Sequence, residues 1–513
     1  MWVSARGNTL TTVQVSAFAF LAALRETLLC TVVNTAPLLT CGLLQLFCNC
    51  IMKRINERVV QLNVAEVNPK AKYVLYWMQM FKRTTQNHAL IYAIRQANEL
   101  MLPLVVYEGL KYYYPWASDR LHTFILEGVE EKRQAFEKLG IRYLFYLQKD
   151  KNDPKQTVAK LAKDAAMIVT DDFPCFIIPG HNKTISEKAK VPVFAVDSNG
   201  IIPMSKFEKE EYGAYTIRPK IKKILDNYLK PLPEEKVNLK SLGIKLDCPE
   251  TIVEADNIAK LVGECDIDHS VKASGHYHGG TANGSKRLKK FLNDILPDYN
   301  TGRNKPDIDG SSRLSSYMHF GFLSPLEIAL AVQDADAPRE SKDAYLEEMI
   351  VRRELSYNFT HHNPKYDSLE SLPEWAQKTM RAHIDDKRPV TYSPEELEAG
   401  ETHDELWNAS QREMLITGEM HNYVRMLWGK NVIAWTKSYE EAFAVLEHLN
   451  NKYCLDGRNP NSYAGILWCF GKHDRPWMER PVFGMMRYMT TGSTGKKFNS
   501  KKYIEWTKSL TGA

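Results

Sequence analysis

The stretch "YVLYWMQMFKRTTQNHALIYAIRQANELMLPLVVYE", residues 73–108, decides the fold of the first half of the chain. It opens with a short apolar run at 73–78 and continues with apolar residues at helical spacing over 87–100. A second apolar run follows at 102–108. A strand, a helix and a further strand in this order are typical of a parallel sheet covered by helices. The stretch therefore predicts a βαβ unit.

The same alternation continues beyond this unit. A long helical stretch reaching Leu139 precedes "RYLFYL" (142–147), and "AAMIVTDD" (165–172) and "VPVFAVDSN" (191–199) add two strand–loop signals. Polar residues directly after such strands stand where doubly wound sheets open a ligand crevice. No phosphate-binding glycine fingerprint follows the first strand, which argues against a common dinucleotide site. We expect a Rossmann-like α/β domain over residues 70–202.

The second half of the chain has a different pattern. Residues 215–249 are rich in Pro and Lys and are interpreted as a connector, inside a linker that we place at 203–280. Farther on, apolar residues recur at helical spacing, as in "KDAYLEEMIVRRELSYNF" (342–359) and "YEEAFAVLEHLNNKY" (439–453). We expect an all-helical domain over residues 281–513.

The composition is that of an ordinary soluble protein with several domains. The chain has 513 residues, of which 44% are hydrophobic and 25% charged. A net charge of +5 permits a phosphate-bearing partner without requiring one. Four of the nine cysteines lie in the first fifty residues, and the other five are scattered without disulfide or metal-ligand spacing, which favours a reducing intracellular compartment.

Residues 1–51 do not match the remainder of the chain. The apolar stretch 15–50 lacks Lys and is interrupted by charged residues and by Pro37. Neither half reaches the roughly 20 uninterrupted apolar residues that a membrane span needs. A targeting leader and a segment outside the working protein both stay open. The sequence from Met52 onward is typical of the beginning of a soluble protein.

Three tryptophans have a suggestive spacing. "MHNYVRMLWGKNVIAW" (420–435) places Trp428 and Trp435 near one face of a helix, seven residues apart. Trp407 precedes a helix break and could fit between them from another helix. On spacing alone, core packing is favoured over a path for electrons.

A run of hydroxyls lies in "DGSSRLSSYMHFGFLSP" (309–325), just before a helix-like segment. Hydroxyls and free backbone N–H groups at a helix start suit a phosphate or a pyrophosphate. Simple N-capping of the helix explains the pattern more economically.

A second polar turn lies in "YCLDGRNPNSYAGILWCFGKHDRPW" (453–477). Here Asp456 and Asn461 could present polar groups to one ring while Trp468 presents an indole to another. An ordinary corner between two helices accounts for the spacing equally well.

Several longer motifs occur in order over residues 299–505. They are "RLSSYMHFG", "EEMIVRRELSYNF", "THDELWNASQREMLITGEMHNYVRMLWGKNVIAW", "LDGRNPNSYAGILW" and "HDRPWMERPVFGMMRYM". Together they resemble the class II cyclobutane pyrimidine dimer photolyases of the photolyase/cryptochrome family. The resemblance runs from about Tyr73 to Leu510 and leaves out the first segment of the chain.

The resemblance implies a fold and an activity. Members of this family join an α/β antenna domain to an all-helical domain that holds FAD. The implied activity is light-driven repair of cyclobutane pyrimidine dimers in UV-damaged DNA, by electron transfer from excited FADH⁻. The chain would then be an enzyme, a carbon–carbon lyase of the deoxyribodipyrimidine photo-lyase type, without a metal.

The resemblance also assigns residues to the flavin. Asn450 would stand near flavin N5, and Trp428, Trp407 and Trp435 would form an electron-transfer triad running from the flavin to the surface. Spacing alone favours core packing for the three tryptophans, whereas the resemblance favours electron transfer. The residues implied to bind FAD are Tyr299, Ser312, Leu314, Ser315, Glu354, Asn358, Arg425, Asp456 and Gly457.

For the lesion, Glu348 matches the family carboxylate that hydrogen-bonds the dimer. One position departs from the pattern, because some relatives have Trp where this chain has Arg352. A guanidinium can stack on a base or meet a phosphate, so repair is compatible with the change. The residues implied to contact the lesion or its DNA are Arg303, Asn304, Arg352, Tyr423, Met426 and Trp468.

The partners follow from the same resemblance. We expect UV-damaged DNA, double- or single-stranded, as the substrate, no membrane partner for the core, and a monomer. An antenna chromophore such as 8-hydroxy-5-deazaflavin is implied, while a folate, another flavin or none stay open. The compartment would hold DNA, either a nucleus or a bacterial-type cytoplasm, or an organelle if residues 1–51 are a transit peptide.

Three other functions remain open. A flavin photoreceptor of the cryptochrome kind is the main alternative, although it would not need Glu348 and Trp468. A (6-4) photoproduct enzyme agrees less well with the motifs. A binding module without turnover would bind DNA with no response to light.

Overall fold

The computed structural model describes residues 53–511. Its first half contains one six-stranded sheet with the order β1-β6-β5-β2-β3-β4. β1 is antiparallel to β6, and all other neighbouring strands are parallel. This confirms the predicted parallel α/β sheet. The strands are β1 (Val59–Gln61), β2 (Tyr73–Met78), β3 (Leu104–Lys111), β4 (Arg142–Gln148), β5 (Ala165–Asp171) and β6 (Val193–Val196).

Helices cover the sheet, and every residue of β2 and β5 is buried. Continuous apolar runs are expected for parallel strands that are covered on both faces. The long helical stretch predicted before Leu139 is in fact two helices, because the chain bends at Gly128. The helices of this half are α1 (His88–Glu99), α2 (Asp119–Leu126), α3 (Val129–Lys138), α4 (Thr157–Leu161) and α5 (Ile178–Lys188).

Asp171 at the end of β5 has a structural role. Its Oδ1 accepts a hydrogen bond from the Tyr76 hydroxyl at 2.8 Å. Its Oδ2 accepts from the backbone N–H groups of residues 79–81 at 2.7–3.0 Å. The polar residue after this strand therefore fixes the loop that follows β2, and the ligand crevice at this edge of the sheet is lined by other side chains.

The segment interpreted as a connector contains a helix. α6 (Ala214–Tyr228) begins it, with Pro219 inside the helix, and α7 (Ile258–Gly263) follows a long stretch without regular structure. The Pro- and Lys-rich composition concealed this helix, although Ile217 and Ile221 are buried at helical spacing along it.

The second half is helical, as predicted. Two helical runs contain a turn of π-helix, at Phe291–Ile295 and at Glu347–Arg352. The helices are α8 (Thr281–Lys290), α9 (Tyr299–Gly302), α10 (Ser315–His319), α11 (Pro325–Asp334), α12 (Arg339–Leu346), α13 (Arg353–His362), α14 (Glu374–Ala382), α15 (Pro394–Ala399), α16 (Glu405–Thr417), α17 (Asn422–Trp435), α18 (Tyr439–Tyr453), α19 (Pro460–Cys469), α20 (Thr491–Thr494) and α21 (Ser500–Ser509).

The main core of this half lies between α16, α17, α18 and α19, and Trp407 at its centre is fully buried. A smaller cluster joins the two halves, where Phe173 meets Tyr357 edge to face at 6.0 Å between ring centroids. The sheet begins at Val59, before the expected boundary at residue 70. The proposed leader, residues 1–51, lies outside the described residues. None of the helices within 53–511 is both long and apolar enough to cross a membrane.

Candidate functional site

An ion pair is buried beside the first turn of α17. Arg425 Nη2 lies 3.3 Å from Asp456 Oδ1, and the two side chains are 25% and 11% exposed. Burial opposes ionisation of Asp456. The charge of Arg425 and hydrogen bonds from Ser315 and Arg425 outweigh burial, so the pKa of this carboxyl lies below its ordinary value. The same pairing raises the pKa of Arg425 above its ordinary value despite burial. Two predicted residues thus form a charged pair.

The turn that carries Asp456 is held tightly against the end of α18. A Cβ on Gly457 would lie 2.7 Å from the Asn450 carbonyl oxygen and 3.1 Å from Asn451 Cα, so a larger residue would push the turn away. Arg458 is buried at a φ of +62° and donates to the Cys454 carbonyl at 3.3 Å. It thereby satisfies a carbonyl that α18 leaves open at its end.

Polar atoms around this turn lack partners. Buried side-chain nitrogens with no hydrogen-bond acceptor or donor among residues 53–511 include Arg425 Nε, His319 Nδ1 and Asn451 Nδ2 near the turn, and Arg353 Nη1 on α13. An unsatisfied buried polar group costs about 1–3 kcal/mol, so such groups usually meet a partner. A cofactor with ring nitrogens, carbonyls and phosphates would supply these partners, and the residues present fit FAD.

The serine segment lies along the same wall. Ser315 hydrogen-bonds to Asp456, and Ser312 hydrogen-bonds to Tyr345. Tyr299 contacts Tyr345 edge to face, with 5.2 Å between ring centroids. Ser312 and Tyr299 therefore meet at Tyr345, while Ser315 is tied to the Asp456 turn.

Arg313 holds the serine segment in place, although no pattern in the sequence pointed to this residue. Its Nη1 lies 2.8 Å from Glu413 Oε1 and its Nε donates to Asp309 Oδ1 at 2.9 Å. Leu314, the next residue, is completely buried. The sequence does contain a pattern that points to its partner Glu413, because this charged residue interrupts the apolar helical pattern of "QREMLIT".

Glu354 and Asn358 bind the segment that leads out of the sheet. Glu354 Oε1 accepts from the Ile201 backbone N–H at 2.7 Å, and burial raises the pKa of Glu354 to about 7. Asn358 Oδ1 accepts from the Glu211 backbone N–H at 2.7 Å, and its Nδ2 donates to the Lys209 carbonyl at 3.0 Å. These bonds tie α13 to the connecting segment. The predicted position of both residues along the cofactor stays a prediction.

Asn450 lies near the end of α18 and is buried. Its Nδ2 donates to Asn451 Oδ1 at 3.2 Å, and that oxygen also accepts from the Arg458 backbone N–H at 2.8 Å. The amide of Asn450 is thus part of the bonding that shapes the Asp456 turn. Its role beside a flavin stays a prediction.

The predicted lesion carboxylate lies on the π-helical turn that precedes α13. Arg303 Nη1 donates to Glu348 Oε1 at 3.0 Å, and these side chains are 31% and 41% exposed. A π-turn adds one residue to a helical turn and is frequent at functional sites. Here it presents Glu348 at the surface next to a guanidinium.

Arg352, the departure from the family pattern, stacks on the predicted aromatic wall. Its guanidinium carbon lies 5.5 Å from the centroid of the Trp468 ring. Trp468 is half-buried, and its indole N–H has no hydrogen-bond partner within the described chain. The guanidinium of Arg352 therefore lies over the Trp468 ring on the side of α19.

The remaining residues predicted to contact the lesion or its DNA lie apart from one another. Tyr423 contacts Phe498 edge to face, with 6.2 Å between ring centroids. Met426 Sδ lies 3.9 Å from the Sγ of Cys469, the residue that follows Trp468 in the sequence. Asn304 is exposed just after α9. Met426 is thereby brought toward the Trp468 wall, whereas Tyr423 packs toward the C-terminal helices.

The three tryptophans form a contiguous line. Trp407 is stacked on Trp428, with centroids 6.5 Å apart and ring planes 9° apart. Trp407 also meets Trp435 edge to face at 5.6 Å. Its indole N–H donates to the Trp428 carbonyl at 3.0 Å. The prediction that Trp407 lies between the other two from a different helix is confirmed. Trp428 is three residues after Arg425 on α17, so the line begins beside the Asp456 pair.

One detail of this prediction is wrong. Trp435 was expected at the surface, but only 5% of it is exposed. The rings of Tyr392 and His403, from the loops on either side of α15, lie 5.6 Å and 5.2 Å from it and cover it. The spacing within α17 carried no information about these covering residues.

A cavity of about 510 Å³ opens at the edge of the sheet where the parallel strands end. Trp77 and His181 stack in it, with centroids 5.9 Å apart. Lys111 Nζ lies 3.1 Å from His181 Nε2, and burial together with Lys111 lowers the pKa of His181 to about 4. The neutral ring can then donate from Nδ1 to Gln79 Oε1 at 3.0 Å.

Two residues connect this cavity to the Asp456 turn. His319 and Arg458 both line the cavity, and both interact electrostatically with Asp456. Burial and the charge of Arg458 keep the pKa of His319 well below its ordinary value. No local periodicity predicts this connection, because it joins residues that are far apart along the chain.

Comparison with known proteins bears on this arrangement. The profile of the DNA photolyase family matches residues 74–237. The deoxyribodipyrimidine photo-lyase of Methanothermobacter thermautotrophicus is 39% identical over 450 residues, which cover 88% of this chain and 97% of the relative. That of Arabidopsis thaliana is 38% identical over 450 residues, covering 85% of this chain and 89% of the relative.

The fold agrees with a solved structure. The archaeal photolyase from Sulfolobus tokodaii, crystallised with two FAD molecules, matches with a TM-score of 0.59 at 16% identity. The match covers 84% of this chain and 90% of that protein. The family profile and the identity of 38–39% to deoxyribodipyrimidine photo-lyases over most of the chain show that the chain belongs to the DNA photolyase family.

Proposed function

We propose that this protein is a light-driven deoxyribodipyrimidine photo-lyase that repairs cyclobutane pyrimidine dimers in UV-damaged DNA, and that it is of class II. The observation that carries the proposal is the line of three contacting tryptophans that begins beside the largely buried Arg425–Asp456 pair. Full-length relatives at 38–39% identity carry the photo-lyase name, which supports the reaction type.

The buried polar wall would hold FAD. Reduced FAD, when bound and excited by light, supplies the electron that splits the cyclobutane ring. Arg425, Asp456 and Asn450 would meet the polar edge of the ring system, with Arg425 fixed in direction by its ion pair. Ser312, Tyr299 and the unpartnered Arg353 Nη1 would lie along the phosphates.

The partly exposed group of Glu348, Arg303, Arg352 and Trp468 would receive the dimer. Flipping a damaged base pair out of the duplex costs a few kcal/mol, and least where the duplex is already distorted. Stacking on an aromatic wall returns about 1–3 kcal/mol per base. The Arg352–Trp468 surface would do this, with the guanidinium completing the area that a second indole would cover.

The tryptophan line would reduce the cofactor before repair. Electrons would pass inward from Trp435 to Trp407 and then to Trp428. Near-parallel stacking of Trp407 on Trp428 favours this transfer, and burial of the line keeps water away from its middle. Trp428 would deliver the electron to the flavin.

The cavity beside the sheet suits a second chromophore. Its volume of about 510 Å³ lies in the range of small-molecule sites. Trp77 and neutral His181 offer flat surfaces, and Lys111 offers a positive charge to an acidic oxygen. An 8-hydroxy-5-deazaflavin has this combination of a planar ring and an acidic hydroxyl. The two FAD molecules of the Sulfolobus tokodaii protein support a second chromophore in the family.

The proposal extends to the oligomeric state, the cellular compartment and the domain boundaries of the protein. We propose that the protein acts as a monomer on damaged DNA inside the cell, in a nucleus or a bacterial-type cytoplasm. The α/β domain, linker and helical domain would keep the predicted divisions at 70–202, 203–280 and 281–513, with the sheet extended back to Val59.

The proposal is tested with reduced, FAD-loaded protein and an oligonucleotide that carries one thymine dimer. Light should restore thymine absorbance, and the dark control should not. In Glu348→Gln, loss of a charged hydrogen bond worth about 1.5–3 kcal/mol should slow repair roughly ten- to a hundredfold. Asp343→Asn, at an exposed carboxylate on α12, is the matched control and should repair at the wild-type rate.

A loaded protein that binds the oligonucleotide but never restores absorbance in light would overturn the repair function. In that case a photoreceptor role would be the better account. Equal rates for Glu348→Gln and wild type would remove Glu348 from the site while leaving the repair function standing.

A further inference from the structure

Lys430 of α17 is completely buried, which is rare for a lysine. Its ammonium donates to the carbonyl of Cys469, at the end of α19, and lies 5.8 Å from the centroid of the Phe483 ring. The buried Lys132 and Lys472 each pair with a glutamate. Among residues 53–511, no carboxylate forms such an ion pair with Lys430. A buried charge without a counter-ion is costly, so this ammonium must be stabilised in another way.

The end of α19 supplies that stabilisation. Cys469 is the last residue of α19, where backbone carbonyls have no partner within the helix. The aligned peptide dipoles give this end of a helix a partial negative charge, which a cation stabilises. Burial lowers the pKa of Lys430 to about 8, while Cys469 and Asp474 oppose the decrease and Arg487 adds to it. The ammonium form therefore predominates at neutral pH and caps α19.

Cys469 is held against α17 at two further points. A Cβ on Gly429 would lie 2.6 Å from Cys469 Sγ, so the close approach of the two helices needs a glycine at this position. Met426 Sδ lies 3.9 Å from the same sulfur. Residues 426, 429 and 430 are spaced as one face of a helix, and Lys430 adds a charged hydrogen bond to an otherwise apolar contact. The end of α19 is therefore fixed relative to α17.

This junction adjoins two side chains that are predicted to contact the lesion. Trp468 immediately precedes Cys469 on α19, and Met426 lies on α17. Each helix thus contributes one of the two side chains, and the junction sets the distance between them. Stacking of a base on an indole depends on close, nearly parallel contact between the two rings. A small shift of the end of α19 would therefore weaken stacking without unfolding either helix.

We propose that Lys430 is a positioning residue for lesion binding, because its ammonium caps α19 and thereby fixes Trp468 beside Met426. This role rests on the proposed contact of Trp468 with the dimer. Since Lys430 is completely buried, it acts through Trp468 and not by contact with the DNA. Loss of its charge loosens the end of α19 and weakens the binding of a flipped dimer. Undamaged DNA is held through its phosphates, so its affinity does not change.

Fluorine NMR of protein that contains 5-fluorotryptophan reports the position of Trp468 without substrate. Its signal is assigned by its absence in Trp468→Phe. In the wild type this signal should shift as the pH is raised through about 8, because a neutral amine is a weaker cap. In Lys430→Met the signal should lie near the high-pH position at neutral pH and stay there. In Lys430→Arg it should keep the low-pH position throughout, because a guanidinium remains charged.

Equilibrium binding in the dark, with FAD-loaded protein, measures the effect on the substrate. Lys430→Met should raise the Kd for an oligonucleotide with one thymine dimer roughly tenfold, since part of the stacking on one indole is lost. The Kd for the undamaged oligonucleotide should not change. The preference of the wild type for the dimer should fall above pH 8, and that of Lys430→Met should not depend on pH. Lys452→Met is the matched control, at a lysine of α18 that is 19% exposed and pairs with Glu398, and should bind as the wild type does.

Lys430→Met decides between positioning and general stability. A Trp468 signal and a dimer affinity equal to those of the wild type would refute the proposal. Release of FAD, or equal loss of affinity for damaged and undamaged DNA, would refute it as well. If Lys430→Met does not fold, the pH dependence of the wild type and of Lys430→Arg decides in its place. If the fluorine signal responds as expected but the wild type does not prefer the dimer, Lys430 caps α19 and the proposed lesion contact of Trp468 is wrong.

Discussion

Replacing Asp456 by Asn isolates the electrostatic contribution of the Arg425–Asp456 ion pair. The substitution keeps the shape and one oxygen but removes the charge that faces Arg425 at 3.3 Å. Arg425 then remains charged in a site where only 25% of its side chain is exposed. Breaking a fully buried ion pair costs about 3–5 kcal/mol. Partial exposure of Arg425 reduces the expected loss of unfolding free energy to about 2–3 kcal/mol.

Asp164→Asn is the matched control. Asp164 and Lys72 form an ion pair at 3.1 Å, but their side chains are 52% and 67% exposed. Water and salt screen such a pair, so its loss should cost at most about 0.5 kcal/mol. The same chemical change at a shorter distance should therefore have a much smaller effect than the change at Asp456.

Urea unfolding of the wild type and both variants measures the difference. The pKa of Asp456 is lowered in the folded protein, so its stabilising contribution is present above the ordinary Asp range near 3.9. That contribution is lost as the pH falls through the lower folded pKa. The deficit of Asp456→Asn should thus be full at pH 7 and shrink in acid. A deficit no larger than that of Asp164→Asn at pH 7 would refute the assignment of the pair.

Three further predictions follow from other parts of the site. Trp428→Phe should prevent photoreduction of oxidised flavin yet leave repair by chemically reduced protein at the wild-type rate, as followed by flavin absorbance; normal photoreduction would contradict it. Glu354→Gln should stabilise the protein at pH 8 relative to wild type, because burial raises the pKa of Glu354 to about 7 and wild-type stability therefore falls as the pH rises from the ordinary Glu value near 4.3 to about 7; a pH-independent difference in urea midpoints would contradict this. Gly457→Ala should lower stability by about 1–3 kcal/mol, since its Cβ would lie 2.7 Å from the Asn450 carbonyl oxygen, and an unchanged urea midpoint would show that the turn can move.

The sheet and the position of Trp407 could be predicted because their patterns are local. Residues 73–78 and 165–169 are runs of apolar and aromatic residues, as buried parallel strands require, and the helix between strands keeps its own period. The seven-residue spacing of Trp428 and Trp435 leaves room for one ring on the same face of α17. Trp407 fills that position from α16.

Other features depend on contacts between distant residues. Nothing near Arg352 in the sequence indicates that it stacks on Trp468, which comes from α19. Tyr392 and His403, which cover Trp435, lie in loops without periodicity. Glu354 and Asn358 were expected along a cofactor, yet their hydrogen bonds go to backbone groups more than a hundred residues earlier in the chain. Such pairings arise from the tertiary fold and leave no local pattern.

The most direct test of the account is single-turnover repair by chemically reduced, FAD-loaded protein. The oligonucleotide, which carries one thymine cyclobutane dimer, would be present in slight molar excess over the enzyme. One short pulse of blue light would then allow each enzyme at most one turnover. Chromatography of the strand would then measure conversion. The account predicts that the pulse yields the undamaged oligonucleotide and that the unilluminated sample and a (6-4) photoproduct substrate yield none. Bound, reduced flavin with no conversion of the dimer would contradict it.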